Sequence, residues 1–586
     1  MRRSPWRTAF MLLCQVGAIV ALAACGSSGG GGSSNSGSKN TGPNQGQKKG
    51  GTLHVLSNED FDYLDPGQAY FQLTYEWMAD AQRTLYQYKP DNPITPAPDI
   101  ASGQPKISKD NKTITIKLKH GIKFSPPVNR EVTSKDVKYA MERGFTKNVS
   151  NGYAGAYFGS LVGAPKSGGS YKSIPGIETP DKYTLVLKLS QPLAGTVVGA
   201  LVLPLTAPVP KSYAQKWDQK NPTQYGNHQV VTGPYMISNN KSGKVTGYTP
   251  GKRLELVRNP NWSASTDWRP AYVDKIDWSI GNDSTVLGRQ VLTGHDMVSG
   301  DAPPAPIVKL AVQKYSDQIA LVAGSGNRYV AMNTAIAPFN DENLRKAVYA
   351  ALDKNAMRLT RGGPAIGDIA THYIGPGVPG YDEAGGAAGP QVDFNKNPNG
   401  DMTVAKKYLK KAGFPNGKYH GPQVLMVGDN SDPAAKTAQV VLQTLKQLGF
   451  NVNFKSVEHS VMYTNFCNVP KKKVQICPNV GWLKDFNDGV AWLDVTFNGK
   501  NIVPVNNSNW PQLNDPKINK AIDHAKTISD PKARAQAWGK VDDQITRTAA
   551  AVPWLWDKLA NVRSKNVKGV IAIWNSSWDL AFTSVK

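Results

Sequence analysis

The chain has few of the residues and motifs that mark an enzyme. Its 586 residues include only four cysteines and eight histidines, and the histidines are scattered. His-Glu-x-x-His and Gly-x-x-x-x-Gly-Lys-Ser/Thr are absent, and Gly-x-Ser-x-Gly occurs only in a Gly/Ser-rich stretch after residue 25. These are local signatures of zinc peptidases, P-loop nucleotide-binding proteins and serine hydrolases. Ser238 and Lys241 fit Ser-x-x-Lys, which chance explains. We expect no enzyme, with a secreted hydrolase as a distant alternative.

Long apolar runs are also lacking, with one exception at the amino terminus. The run from Ala9 to Ala24 follows the basic opening Met1-Arg2-Arg3 and is too short to span a bilayer stably, which indicates a secretory signal. Leu22-Ala23-Ala24-Cys25 resembles the lipobox of bacterial lipoproteins, in which the signal is cut before a cysteine that becomes lipidated. We therefore expect residues 1–24 to be a signal peptide and Cys25 the lipidation site. An ordinary signal peptide beside an incidental cysteine is the alternative.

Residues 25–51 contain almost no apolar side chain and are rich in Gly, Ser, Asn, Gln and Lys. Such a segment cannot bury enough surface to fold. As a flexible coil of about 25 residues it would separate its ends by roughly 25 to 30 Å. We expect a lipidated tether that holds the protein at the extracellular face of the cell membrane.

Two cysteines remain in the body of the chain, Cys467 and Cys477. Disulfides persist outside the cell, so this close pair is expected to be oxidised. Closing so short a loop would stabilise the fold by roughly 3 kcal/mol in the chain-entropy model. Two buried free thiols are the alternative. We expect no metal or other cofactor, because the nearest histidine, His459, has no recognisable ligand spacing.

Acidic residues are outnumbered, with 44 Asp and Glu against 68 Lys and Arg and a net charge of +24. The basic residues are spread along the chain, and runs such as Lys471-Lys472-Lys473 are not interleaved with stacking aromatic residues. We therefore expect no nucleic-acid binding. A solvated surface that faces an anionic membrane or cell wall explains the charge better.

Hydrophobic periodicity alternates between two and 3.6 residues along the body of the chain, which favours an α/β protein. Alternation predicts strands, and apolar spacing of i, i+3, i+4 predicts helices that end at glycines. The predicted elements are strands at 113–119, 183–189 and 450–454, a helix that begins near Asn340, and helices that end at Gly413 and Gly449. Thr133 is a predicted N-cap, with Asp136 at the third helical position.

Short strings in a fixed order resemble family 5 extracellular solute-binding proteins, the peptide-binding components of ABC importers. They run from about residue 50 to about residue 560: Gly50-Gly51-Thr52-Leu53, Leu64-Asp65-Pro66, Lys119 to Ser125, Val132 to Val137, Thr232-Gly233-Pro234-Tyr235, Val257 to Trp262, Met332-Asn333-Thr334, Leu344 to Ala347, and Ala412-Gly413-Phe414. One departure is Pro126-Pro127, where the family commonly has an Asp-Gly turn.

The resemblance implies a bilobed, periplasmic-binding-protein-like type II α/β fold with an extra subdomain in lobe I. A body of about 535 residues also exceeds the usual length of one domain. The expected limits are 52–285 for lobe I with its subdomain at about 90–225, 286–489 for lobe II, and 490–586 for the return to lobe I. The protein is expected to be a monomer.

The resemblance also implies a ligand site between the lobes. In peptide-binding members a Trp-x-x-Asp-aromatic string supplies a carboxylate that pairs with the peptide's α-amino group, and Asp485 occupies that place in Gly481 to Phe486. Trp482 and Gly481 in that string are further candidates, as is Tyr70 from the opposite lobe; a solvated loop aspartate is the alternative for Asp485. The implied function is capture of di- to oligopeptides for an ABC permease. Oligosaccharides, nickel complexes or another small solute are alternatives.

Overall fold

The computed structural model describes residues 47–90, 92–165, 168–281, 283–569 and 578–585. The predicted signal peptide, Cys25 and most of the predicted tether lie outside these residues. Within the described ranges, no helix has the length and apolar character needed to cross a membrane.

Eighteen strands occur in the described residues, numbered here in chain order. They are β1 Thr52–Ser57, β2 Tyr86–Lys89, β3 Asn92–Pro98, β4 Lys106–Ile107, β5 Thr113–Lys117, β6 Ile177–Asp181, β7 Thr184–Lys188, β8 Tyr235–Ile237, β9 Tyr248–Thr249, β10 Arg253–Arg258, β11 Lys275–Ile280, β12 Met297–Ser299, β13 Ile319–Met332, β14 Gly367–Asp368, β15 Val424–Asp429, β16 Val452–Val457, β17 Ile476–Leu483 and β18 Ala551–Val562.

These strands form two large sheets and two small ones. The first sheet has the order β12-β1-β11-β10-β8, with β9 also paired to β10, and the second has the order β14-β18-β13-β17-β15-β16. The smaller sheets are β4-β5-β7-β6 and β2-β3. β1 is parallel to both β11 and β12, and β15 is parallel to both β16 and β17.

The described helices, numbered in the same way, connect and cover these sheets. They are α1 Gln72–Ala81, α2 Ser134–Gly144, α3 Ala154–Phe158, α4 Ala194–Ala200, α5 Lys211–Asp218, α6 Ser284–Thr293, α7 Ala305–Lys314, α8 Glu342–Ala351, α9 Lys354–Arg361, α10 Met402–Lys411, α11 Ala434–Gln447, α12 His459–Val461, α13 Val490–Phe497, α14 Pro516–Thr527 and α15 Pro531–Arg547. A π-helical turn, Met462–Cys467, follows α12 directly.

The local predictions from the sequence are confirmed. β5 and β7 pair antiparallel with Ile116 opposite Leu185, so that alternate apolar residues fill one face. The amide N–H of Thr133 donates to the Asp136 carboxylate at 2.8 Å, which is the reciprocal bond of a capping box. Gly413 and Gly449 follow α10 and α11 with φ of 88° and 95°, values that glycine adopts at helix ends.

Most of the buried apolar residues that the structure describes fall into two large cores. One core joins the first sheet to the β4-β5-β7-β6 sheet and to α13, α14 and α15, and it also includes residues of β13 and β17 from the second sheet. The other packs α8, α9, α10 and α11 against the second sheet. Strand pairing places β12 in the first sheet and β18 in the second. The lobe limits expected from the sequence instead put the residues of β12 in lobe II and the residues of β18 in the return to lobe I. Pairing within a sheet does not define a lobe, so the limits themselves stay a prediction.

Arg143, on α2, holds together three segments of the chain. Its guanidinium donates to both carboxylate oxygens of Asp65, at 2.7 and 2.6 Å, and to both of Asp218, at 2.8 and 2.5 Å. The Arg143 and Asp65 side chains are each 1 % exposed. A buried cation is thereby matched by two carboxylates, and the chain that leads into α1 is fixed to α2 and α5.

The structure joins Cys467 and Cys477 in a disulfide, with their Cα atoms 6.4 Å apart. Cys467 ends the π-helical turn and Cys477 is the second residue of β17. The bond therefore ties together two adjoining segments that both line the cavity described below.

Removing this disulfide is expected to lower the free energy of unfolding by about 3 kcal/mol, because the unfolded chain regains the freedom of a short loop. Chemical denaturation of the Cys467→Ser/Cys477→Ser double variant measures this loss. Wild-type protein in excess reductant serves as the control and should lose a similar amount. Mass spectrometry that finds two alkylated thiols in unreduced, exported protein would contradict the bond.

Candidate ligand-binding cavity

A cavity of about 140 Å³ lies where the carboxyl ends of strands from both large sheets meet. On the side of the first sheet, Glu59 follows β1 and Asp301 follows β12; because these strands are parallel, their ends are adjacent. The amide N–H groups of Asn58 and Glu59 both donate to Asp301, at 2.6 and 3.0 Å. On the side of the second sheet, the chain after β17 supplies Lys484 and Asp485.

Asp485 is a buried carboxylate in the wall of this cavity. Its residue is 7 % exposed, and the Tyr157 hydroxyl, from α3, donates to Oδ2. Burial disfavours the charged form and outweighs that hydrogen bond, so the pKa of Asp485 is raised to about 7. A carboxylate that is costly to ionise gains more from a cationic ligand than a solvated one does.

Aromatic rings form the wall beside Asp485. Trp482 lies with its ring centroid 5.8 Å from that of Tyr70 and 6.1 Å from that of Trp510. Its indole N–H donates to the carbonyl of Ala491, in α13, at 2.6 Å, which fixes the orientation of the ring. Tyr70 comes from the segment before α1, on the side of the first sheet.

Gly481 allows an arginine to lie against β17. A Cβ at this position would stand 2.9 Å from both Cδ and Nη1 of Arg328 and 3.0 Å from the carbonyl oxygen of Asn327, so Arg328 would have to move. Arg328, on the neighbouring strand β13, donates from Nε to Asp557 of β18 at 2.6 Å. The structure thus brings Gly481, Trp482, Asp485 and Tyr70 to one cavity, while their contact with a ligand stays a prediction.

His459 belongs to an ionic cluster that the sequence did not indicate. Its Nδ1 lies 2.6 Å from Asp429, at the end of β15, and 3.5 Å from Glu59. Burial opposes a charge on the ring, but Glu59 and Asp429 outweigh it and raise the pKa of His459 to about 9. The three side chains offer ligand atoms within 4.8 Å of one another, yet the Nδ1–Asp429 distance is that of a charge-assisted hydrogen bond. The cluster is a salt-bridged link between the two sides of the cavity.

Both signs of charge therefore line the cavity next to an aromatic wall. Carboxylates come from Glu59, Asp301 and Asp485, and basic side chains come from Arg328, Arg361, His459 and Lys484. Low solvent access strengthens each charge-assisted hydrogen bond to a ligand. Such an arrangement suits a small solute that carries both an ammonium and an anionic group.

Proteins with related sequences are named for the solutes that they bind. The oligopeptide-binding protein OppA of Bacillus subtilis is 25% identical over 569 residues, which covers 94% of each chain. The glutathione-binding protein GsiB of Salmonella paratyphi A is 22% identical over 521 residues, 88% of this chain and 91% of that protein.

Solved structures share the fold. The clavulanic acid biosynthesis oligopeptide binding protein 2 superposes with a TM-score of 0.75 at 24% identity, over 94% of this chain and 99% of its own. OppA of Listeria monocytogenes bound to peptide gives 0.72 at 19% identity, over 92% and 100%. These likenesses confirm the bilobed periplasmic-binding-protein-like α/β fold predicted from the sequence.

The family assignment rests on the sequence itself. Residues 95–504, well over half of the chain, match the family model described as bacterial extracellular solute-binding proteins, family 5 middle. The chain belongs to the family 5 bacterial extracellular solute-binding proteins.

Proposed function

We propose that this protein is the substrate-binding component of an ABC importer, which captures peptides in the cavity and delivers them to permease subunits. The observation that carries the proposal is the buried Asp485 carboxylate beside the Trp482 and Tyr70 rings, in a cavity that also holds cations. Relatives named for oligopeptide binding support the same class of ligand. We also propose that the protein acts as a monomer.

In this proposal Asp485 pairs with the α-ammonium group of the peptide. A carboxylate whose pKa burial has raised to about 7 becomes fully ionised when a cation replaces the missing water. The aromatic wall packs against the first side chains of the peptide. Gly481 acts indirectly, by leaving room for Arg328.

Other solutes remain candidates because some related proteins are named for, or described in complex with, other ligands. Glutathione appears in the name of one relative, and a solved neighbour from Agrobacterium is described in complex with agropinic acid. Oligosaccharides and nickel complexes are the remaining alternatives from the sequence. None of these requires catalysis, and we propose that the protein releases its ligand unchanged.

A thermal-shift screen followed by calorimetry tests the proposed function. Alanine peptides of two to five residues, glutathione, cello-oligosaccharides and Ni²⁺ are added separately to the purified protein, and mass spectrometry checks that peptides are recovered intact. We expect stabilisation by at least one peptide length and no cleavage. Stabilisation by a sugar or Ni²⁺ alone would overturn the peptide assignment.

Peptide affinity is expected to fall as the pH is lowered through 7. Ligand-free Asp485 has a pKa of about 7, and binding of an ammonium requires the ionised form, so protons compete with the peptide. Below that value the dissociation constant should rise about tenfold per pH unit. Asp301, with a pKa raised to about 7 by burial and Glu59, also titrates here. Calorimetry of the Asp485→Asn variant separates the contributions of Asp485 and Asp301. The peptide affinity of this variant should lose most of its dependence on pH. An unchanged pH profile would contradict the pairing of Asp485 with the ammonium group.

We further propose that Cys25 carries the lipid anchor. Replacement Cys25→Ser should abolish incorporation of radiolabelled palmitate, leave the signal uncleaved and change the membrane fractionation of the protein. Cys14→Ser lies within the same predicted signal and is the matched control, expected to mature normally. A Cys25→Ser protein that matures and fractionates like wild type would show that the lipoprotein assignment is wrong.

A further inference from the structure

Arg361 is a buried cation in the cavity wall. It is the last residue of α9 and is 7 % exposed. Across the ranges that the structure describes, its guanidinium makes no hydrogen bond and no ion pair. A guanidinium has five donors and stays protonated in proteins. Burying it without acceptors is costly unless something else supplies them.

Other arginines of this chain that are largely buried donate hydrogen bonds to carboxylates or to backbone carbonyls. Arg83 and Arg269 share the carboxylate of Asp99, and Arg345 donates to three backbone carbonyls. Arg328, which lines the same cavity, is paired with Asp557. Arg361 alone among these five residues faces the cavity with its donors unused.

The surroundings of Arg361 stabilise its charge only in part. Burial, and then Arg328, lower the pKa of Arg361 to about 10, although the carboxylates of Asp557, Glu59 and Asp429 act in the opposite direction, so Arg361 is still a cation at neutral pH. The end of α9 favours a cation through the helix dipole. The carbonyls of Arg358 and Leu359 there already accept from the N–H of Gly362. The surroundings of Arg361 therefore allow it to stay charged, and the donors of its guanidinium are left for a ligand.

We propose that Arg361 binds a carboxylate group of the ligand. The inference rests on the proposed function, that the cavity takes peptides. A guanidinium fork matches a carboxylate in a bidentate fashion. Because Asp485, Glu59 and Asp301 line the same cavity, a dianion would be repelled, whereas a carboxylate joined to an ammonium compensates Arg361 and Asp485 together. The carboxylate belongs either to the peptide's carboxyl terminus or to an acidic side chain.

Calorimetry at pH 8 with three sets of peptides distinguishes these sources. The first set is alanine peptides of two to five residues with a free carboxyl terminus. The second is the same peptides amidated, and the third is amidated peptides with one Ala replaced by Glu. Each is titrated into wild type, Arg361→Gln and Arg358→Gln. Arg358 lies three residues earlier on α9 and bonds to Asn355 and Gly367, so its variant is the matched control.

We expect loss of the only carboxylate to weaken wild-type binding roughly 30-fold or more, the lower range for breaking a buried charge pair. Arg361→Gln should bind free and amidated peptides within about threefold of each other, whereas Arg358→Gln should behave like wild type. Affinity restored by Glu identifies a side-chain source; no restoration identifies the terminus. Equal losses on amidation in wild type and Arg361→Gln, or a wild-type affinity that responds neither to amidation nor to Glu, would overturn the inference alone. A wild-type protein that binds no peptide would overturn the proposed function as well.

Discussion

Replacing Asp485 with Asn is expected to weaken peptide binding by about 2 to 5 kcal/mol, the range measured when one partner of a buried charge pair is removed. The amide has the shape of the carboxylate and keeps an oxygen that accepts from Tyr157. It lacks the charge that would pair with the peptide's ammonium. Calorimetry at pH 8, where Asp485 is mostly ionised, measures the loss.

Acetylation of the peptide's amino group supplies the second arm of this test. If Asp485 holds the ammonium, acetylation weakens wild-type binding strongly and Asp485→Asn binding much less, because both changes remove one interaction. The variant should fold at least as stably as wild type, since a carboxylate whose pKa burial has raised to about 7 destabilises the fold at pH 8. Equal losses from acetylation in both proteins would contradict the pairing and favour an uncharged solute.

Replacing Arg143 with Met is expected to lower the free energy of unfolding by about 3 to 5 kcal/mol, because two buried carboxylates lose their counter-ion. Burial disfavours the ionised form of Asp218, but Arg143, together with the hydroxyl groups of Thr223 and Tyr139, outweighs burial and lowers the pKa of Asp218. Stability from a lowered carboxyl pKa is present at neutral pH and is lost as the pH falls through that value. The deficit of the variant should therefore shrink in acid. Denaturant titrations at pH 7.5 and at lower pH measure both effects.

Lys188→Met is the control for Arg143→Met, because it also removes a cation from an ion pair. Lys188 and its partner Glu178 are 50 % and 43 % exposed, and such surface pairs contribute about 1 kcal/mol or less. Similar losses in the two variants would mean that burial does not determine the strength of the Arg143 bonds.

Local structure could be predicted from the sequence wherever neighbouring residues determine it. The Thr133 cap, the glycines that end α10 and α11, and the alternation in β5 and β7 each depend on fewer than about ten consecutive residues. Trp482 and Asp485 share one short string, and both, like Tyr70, are implied by the family resemblance. Tyr70 was found only through the family resemblance, since nothing nearby indicates that it packs toward Trp482.

The remaining parts of the site come together only through the sheet topology. Glu59, Asp429 and His459 lie in three distant segments, and parallel pairing of β15 with β16 brings the last two together. Arg361 has the helix-end position that is common for surface cations, so the sequence gives no sign that it is buried. The pairings of β12 and β18 likewise depend on long-range contacts that periodicity cannot reveal.

The position of β18 has a consequence for the order in which the exported chain becomes functional. β18 lies between β14 and β13 in the second sheet, and its Asp557 holds Arg328 in the cavity wall. If the chain is exported with its amino terminus first, it can complete its first sheet while residues 551–562 are still inside the translocation channel. Until they emerge, β13 has an unpaired edge open to other chains. Under the proposed function, the cavity therefore becomes able to bind a ligand only after export is nearly finished.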